Sequence, residues 1–194
     1  TDVASGQFDL EVHKNGTIRV VFCPTKGGPI CATRTADKQW TKKQIAKVAI
    51  ARMIASTRNP ADRIHVSFAA GERDEGIREL NHATLLADGN WQVKVVATST
   101  DQSHVGRTDI AAAGTRVAIA WEQGAGRQFA PKDYGGKVGA VMLTVIENGQ
   151  VDTHNLVSEN GGRPGLALSP DGNTAWVGIY TGNDAGDDFY LLSC

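Results

Sequence analysis

The sequence predicts an all-β fold of about four repeated four-stranded units, and three observations predict it. Ala32-Thr33-x-x-Ala36-Asp37-x-Gln39-Trp40 returns about fifty residues later as Ala83-Thr84-x-x-Ala87-Asp88-x-Asn90-Trp91. Self-similarity at a period of this size marks one small unit stacked several times. A second echo links Gly6-Gln7-Phe8-Asp9-Leu10, Gly106-Arg107-Thr108-Asp109-Ile110 and Gly162-Arg163-Pro164-Gly165-Leu166. Composition agrees: 22 glycines beside only 6% aromatic residues suit short strands joined by tight turns.

In the first unit, Phe8-Asp9-Leu10-Glu11-Val12 alternates apolar and polar as a half-buried strand does. Asn15-Gly16 then marks a hairpin, because Gly supplies the positive φ that such a turn needs. Thr17 to Phe22 is the return strand, Ile30 to Thr33 a third, and Trp40 opens a fourth. In the second unit, Ile64 to Phe68, Ile77 to Leu86 and Trp91 to Val96 are strands, the last pair joined by Asp88-Gly89-Asn90. The third runs through Ile110 to Ala112, Val117 to Trp121, Ala140 to Val145 and Val151 to Val157. The fourth holds Leu166 to Leu168, Ala175 to Tyr180 and Phe189 to Leu192, and stops one strand short. Asp2-Val3-Ala4 is a candidate for the missing strand, which would close a ring; a partner chain is the other candidate. Gln123 to Gly136, rich in glycine and carrying Pro131, reads as a loop. The units fall at 6–48, 49–100, 101–158 and 159–194.

One segment carries two signals. Thr41-Lys42-Lys43-Gln44 has the form of a capping box, and Ile45, Val48, Ala49 and Met53 lie at helical spacing, which fits an amphipathic helix over 41–56. The repeat asks for two strands there, because the sister segment Trp91 to Val96 is extended. The repeat carries the greater weight, so strands are expected.

A formal charge of -1 gives no overall electrostatic footprint for nucleic acid or an anionic membrane, and no apolar run approaches a bilayer span. No phosphate loop, dinucleotide fingerprint or nucleophile elbow appears, so no cofactor is expected. The chain opens on Thr1 without a leader pattern, which reads as a removed leader, a processed fragment or a trimmed chain. Cys23 and Cys31 flank the turn-rich Pro24 to Ile30 segment, so a bridge across that hairpin is expected in an oxidising compartment. Cys194 is then an odd thiol, a candidate link to another polypeptide.

Four-stranded units of about 50 residues fit the blades of a β-propeller, here a whole one or a segment. The combination resembles the sialidase-type and related repeat propellers. The Thr-x-x-x-Asp-x-x-Trp stretches ending at Trp40 and Trp91 resemble a degenerate Asp-box turn. Ser169-Pro170-Asp171-Gly172-Asn173-Thr174-Ala175-Trp176 resembles it too, although it joins a first strand to a second. The resemblance implies structural roles: Asp37, Asp88 and Asp171 accept backbone N–H bonds while Trp40, Trp91 and Trp176 pack between strands.

Alignment of the units puts Arg107 and Arg163 at equivalent places where the innermost strand begins, with Arg52 and Gln7 as counterparts. Guanidiniums converging at one mouth of the axis would hold a carboxylate or phosphate bidentately. The alternative is that each pairs with Asp109 of a neighbouring blade or with backbone carbonyls. Sialidases use three arginines for a sugar carboxylate, so the resemblance implies that ligand class. It also implies an acid/base carboxylate, for which Asp109 and Glu122 are candidates, and a tyrosine nucleophile, Tyr134 or Tyr180, though spacing selects none. His13, His65, His82, His104 and His154 read as turn or surface residues, and Asp184, Asp187 and Asp188 as a solvated turn rather than a calcium loop. No metal site is expected. Asn15-Gly16-Thr17 is a glycosylation sequon if the source is eukaryotic and secretory.

The expected function is non-catalytic recognition of a glycan, an anionic ligand or a protein by a secreted or surface module. The alternatives are a sialidase-type glycoside hydrolase, and a structural subunit that completes a propeller with another chain.

Overall fold

A computed structural model describes residues 3–72, 76–99, 104–124, 139–158, 161–183 and 186–193. Among them the chain is all β, with no helix. The first sheet is the meander β1 (Val3–Val12), β2 (Ile18–Pro24), β3 (Ile30–Arg34) and β4 (Trp40–Gln44). The second is β5 (Ile50–Arg58), β6 (Ile64–Glu72), β7 (Gly76–Leu85) and β8 (Trp91–Thr98). The third is β9 (Val105–Ala113), β10 (Arg116–Gln123), β11 (Ala140–Glu147) and β12 (Gln150–Val157), and the last is β13 (Gly161–Leu168), β14 (Ala175–Asn183) and β15 (Gly186–Ser193). All neighbouring strands are antiparallel, and each sheet is laid down in chain order. These are the blades of a β-propeller, numbered 1 to 4 below.

Local chemistry sets the hairpins. Gly16 takes φ 79°, and Asn15 Oδ1 accepts the Thr17 N–H at 3.0 Å, so the Asn-Gly signal forms the turn it predicts. Residues 41–56 are strand, connection and strand. The helical spacing of Ile45 and Val48 instead serves the β4–β5 connection, where Ile45 is buried and Val48 packs between blades 1 and 2. Tertiary burial overrides the local periodicity.

Each junction between blades is one apolar cluster. Blade 2 presents Ile64, Val66 and Phe68 to Val21, Cys23 and Cys31 of blade 1. Blade 3 presents Val117, Ile119 and Trp121 to Ala55 and Ala69 of blade 2. Blade 4 presents Ala175, Val177 and Ile179 to Ala118 and Ala120 of blade 3. Large side chains on the leading face of one blade thus enter the small-residue trailing face of the blade before it, which interdigitates the layers. Two acids lock these junctions at the innermost strands. Asp9 Oδ2 accepts both the N–H and hydroxyl of Ser56, at 2.7 and 2.9 Å, while Asp109 Oδ2 accepts the Leu166 N–H at 2.7 Å. Charged hydrogen bonds of this kind stabilise by roughly 1.5–3 kcal/mol each.

The innermost strands contact in the order β1, β5, β9, β13, and no comparable contact joins β13 to β1. The four blades form an open arc. Val3 pairs with Pro24 inside the first sheet, so the N-terminal segment does not supply the missing strand of blade 4. The expected Cys23–Cys31 bridge is also absent, and both are buried free thiols. Register explains it: Cys31 lies opposite Val21, leaving Cys23 on the diagonal. Diagonal neighbours stand about 7–8 Å apart, too far for Cβ atoms that a disulfide needs within roughly 4.5 Å. Trp40 departs from its expected packing as well. It is 52% exposed, whereas Trp91, at the equivalent first position of its strand, packs into the junction between blades 1 and 2.

Candidate functional site at the wide mouth of the arc

All four innermost strands begin at the same end of the arc, the end at which second strands pass to third strands. The opposite end carries tight turns such as 13–17 and 169–174. Near this beginning every innermost strand is irregular against its neighbour. The register shifts between Val3 and Phe8 in β1, between Arg52 and Ala55 in β5, opposite Trp121 and Gln123 in β9, and between Gly162 and Gly165 in β13. Bulges re-aim side chains at the rims of barrels and beside functional sites. Two of them hold non-glycine residues in the left-handed region, Met53 at φ 53° and Arg163 at φ 49°. Such conformations cost about 1–3 kcal/mol each and persist where their surroundings fix them.

The Met53 carbonyl accepts the Thr108 hydroxyl at 2.8 Å, whereas at Arg163 the fixing group is Glu122. Its buried carboxylate on β10 accepts the Arg107 N–H through Oε2 at 3.1 Å and the Arg163 N–H through Oε1 at 2.5 Å. One side chain therefore ties the bulges of blades 3 and 4 together and sets the separation of the two arginine backbones. Gly106 is required beside it, because a Cβ there would overlap the Glu122 carboxylate. Arg163 projects to solvent with its guanidinium 5.2 Å above the Tyr180 ring, a cation–π contact. Arg107 is half-buried, and its guanidinium has no hydrogen-bond partner among the described residues.

Arg52 is used differently. Its guanidinium donates to the carbonyls of Ala51 at 2.7 Å and of Pro24 and Thr25 at 3.3 Å. It ties the end of β2 to β5, the backbone-carbonyl role that the sequence left open. Gln7, Asp187 and Asp188 are described as backbone, while Tyr134, Asp184 and Cys194 lie outside the described residues. Of the candidate acids, Asp109 gives both oxygens to main-chain N–H groups, those of Ile110 and Leu166, and burial raises its pKa. Both oxygens of Glu122 are engaged in the same manner.

The turn aspartates do what the repeat predicts. Asp37 accepts from Thr35 and the Gln39 N–H, Asp88 from the Asn90 N–H at 2.8 Å, and Asp171 from Ser169 and the Asn173 N–H. Each carboxyl titrates below its usual range: the Thr35 hydroxyl leads for Asp37, the Asn90 amide for Asp88 and the Ser169 hydroxyl for Asp171.

Sequence reasoning missed a histidine pair. His65 and His82 are buried on the face of blade 2 that meets blade 3, with Nδ1 of one 3.0 Å from Nε2 of the other and their rings within 11° of parallel. Burial lowers both pKa values to about 4. The missed signal was two-sidedness: a sheet between two others buries even the polar half of its alternation. A second concavity, about 150 Å³ between blades 3 and 4, is lined mainly by Ala118, Leu143, Val145, Leu168 and Ala175. It lies toward the tight-turn end, at Gly172 and Asn173, away from the arginines.

No protein-family model matches the chain, and none of the curated proteins matches its sequence. Solved structures do match. The fold is that of β-propellers. An ulvan lyase of polysaccharide lyase family PL25, bound to -[GlcA(1-4)Rha3S]-, superposes with a TM-score of 0.65 at 10% identity, over 95% of this chain and 54% of that one. An α-L-arabinanase of Penicillium chrysogenum complexed with arabinobiose gives 0.62 at 14%, over 99% and 63%. An α-L-arabinofuranosidase of Fusarium graminearum with an iminosugar inhibitor gives 0.59 at 12%, over 94% and 64%. This chain spans a little over half to two thirds of those lengths. The likeness is to propellers that act on several saccharides, not to sialidases in particular.

Proposed function

We propose that this chain recognises an acidic saccharide at the wide mouth of the arc, as a non-catalytic module of a secreted or surface protein. The observation that carries the reading is the Glu122 clamp. It fixes two arginine-bearing bulges at one place, where the Arg107 guanidinium has no hydrogen-bond partner among the described residues and Arg163 is exposed over an aromatic ring. Two planar cations held at a set spacing suit a sugar carboxylate or sulfate, each through a bidentate pair. Tyr180 adds the amphipathic aromatic surface common in binding sites. The same fold holds an acidic saccharide in the ulvan lyase and arabinobiose in the arabinanase, so the choice of an acidic ligand rests on the two arginines.

The test is calorimetric titration with uronate-containing oligosaccharides, with neutral arabino-oligosaccharides as the control. Arg107→Ala and Arg163→Ala should each weaken binding of the acidic series about tenfold or more, the loss of one charged pair. Equal affinity for both series, or an unchanged double variant, overturns the reading. Release of reducing ends, or turnover of a fluorogenic sialoside abolished by the same substitutions, would replace recognition with hydrolysis.

A further inference from the structure

The two ends of the arc carry faces that resemble the two halves of an internal junction. On blade 1, Phe8, Leu10, Val12 and Trp40 are 60%, 54%, 64% and 52% exposed. They lie on the leading side of the blade, because Asp9 and Glu11, which alternate with them, reach Ser56 and Arg58 of blade 2 on the other side. Val20 and Phe22 continue that leading face, as Val66 and Phe68 do in blade 2. On blade 4 the trailing side carries Ala167 and Gly178, small like Ala118 and Ala120, flanked by the exposed Trp176 and Leu191. Phe22 and Gly178 are themselves buried, but Phe8, Leu10, Val12 and Trp40 leave large residues exposed on the leading face, and Ala167, Trp176 and Leu191 are exposed on the trailing one. Exposed apolar surface of this kind marks an interaction site.

We infer that the leading face of blade 1 docks on the trailing face of blade 4 of a second copy of this chain, and the reverse, closing two arcs into one ring. Neither face depends on the saccharide reading. Their chemistry suits a separable copy. Trp40 stands opposite Arg34 and Lys42 opposite Ala32, in the places where blade 2 has Trp91 opposite Leu85 and Val93 opposite Ala83. The outer strands of the uncovered face therefore carry Arg34 and Lys42 where an internal junction carries Leu85 and Val93. An apolar centre with a charged rim is the anatomy of an interface between molecules. The trailing face of blade 4 likewise lacks the carboxylate that clamps the next blade: Gly165 stands where blade 3 has Asp109.

Sedimentation velocity across a concentration series tests this. The chain should sediment as a dimer at tens of micromolar, and Leu10→Glu on the leading face and Ala167→Arg on the trailing face should each return it to monomer. An equimolar mixture of the two variants should recover a dimer-sized species, because one intact junction remains between them, with affinity at least tenfold below the unsubstituted pair. Circular dichroism checks the β spectrum of each variant. Should either lose it, Trp40→Lys and Trp176→Arg probe the same faces. A monomer at every concentration, which a partner of another sequence would also leave, overturns the inference. So does mass that grows past two copies, or a dimer that survives Ala167→Arg.

Discussion

Acidification should loosen the junction between blades 2 and 3 through His65 and His82. Their pKa values are about 4 in the folded chain against 6.5 for the free side chain, so the folded state binds fewer protons in the interval between. The pair's full contribution is present above pH 6.5. It is lost as the pH falls from there toward 4, and is flat below. From the linkage relation, each ring costs about 2 kcal/mol of stability at pH 5 and about 3 kcal/mol at the limit. Both rings together are a large fraction of the 5–15 kcal/mol typical of a domain. Geometry supports the direction. His65 Nε2 is buried without a hydrogen-bond partner, so an added proton there finds no acceptor. A second proton would set two N–H groups against each other across the 3.0 Å contact, and Arg63 and Lys94 oppose positive charge as well. Urea unfolding at pH 7.5, 6.0 and 5.0 measures the loss, with the His65→Gln, His82→Gln double variant as reference. The native chain should lose about 4 kcal/mol more than the variant between the end points. Equal losses would refute the assignment and place acid sensitivity elsewhere.

Asp109→Ala should destabilise by about 2–4 kcal/mol in urea unfolding, because the Ile110 and Leu166 amides lose a buried charged acceptor. Gly106→Ala should displace Glu122 and weaken both thermal stability and acidic-saccharide binding; a variant with unchanged affinity would show that the clamp does not set the arginine spacing. Cys23, whose thiol burial pushes up to about 12, and Cys31, also raised by burial, should resist alkylation in the native chain and react once it is denatured. Peptide mapping that found the two joined would contradict the register.

The repeat made most of the fold readable. Glycine turns and alternating runs located the hairpins, and the Asp37, Asp88 and Asp171 turns formed as their spacing implied. Equivalence across units was informative enough to outvote a helical pattern over 41–56. The candidate site was legible only as a position in the repeat. Arg107 and Arg163 occupy the same rung, but nothing local marked Glu122 as the group that joins them or showed Arg52 capping carbonyls. Burial was read least well. Alternation divides a strand into two faces without saying whether another sheet covers each, so His65 and His82 read as surface residues and Trp40 as packed.

Taken by itself, the sequence determined the unit: its strands, its turns and its recurrence, because those follow from side-chain period and backbone preference within about fifty residues. Tertiary structure decided which faces are covered, which thiols can meet, and which carboxylate gathers two arginines. Those outcomes depend on register and on the neighbour each sheet receives, and two faces of this arc receive no further sheet among the described residues.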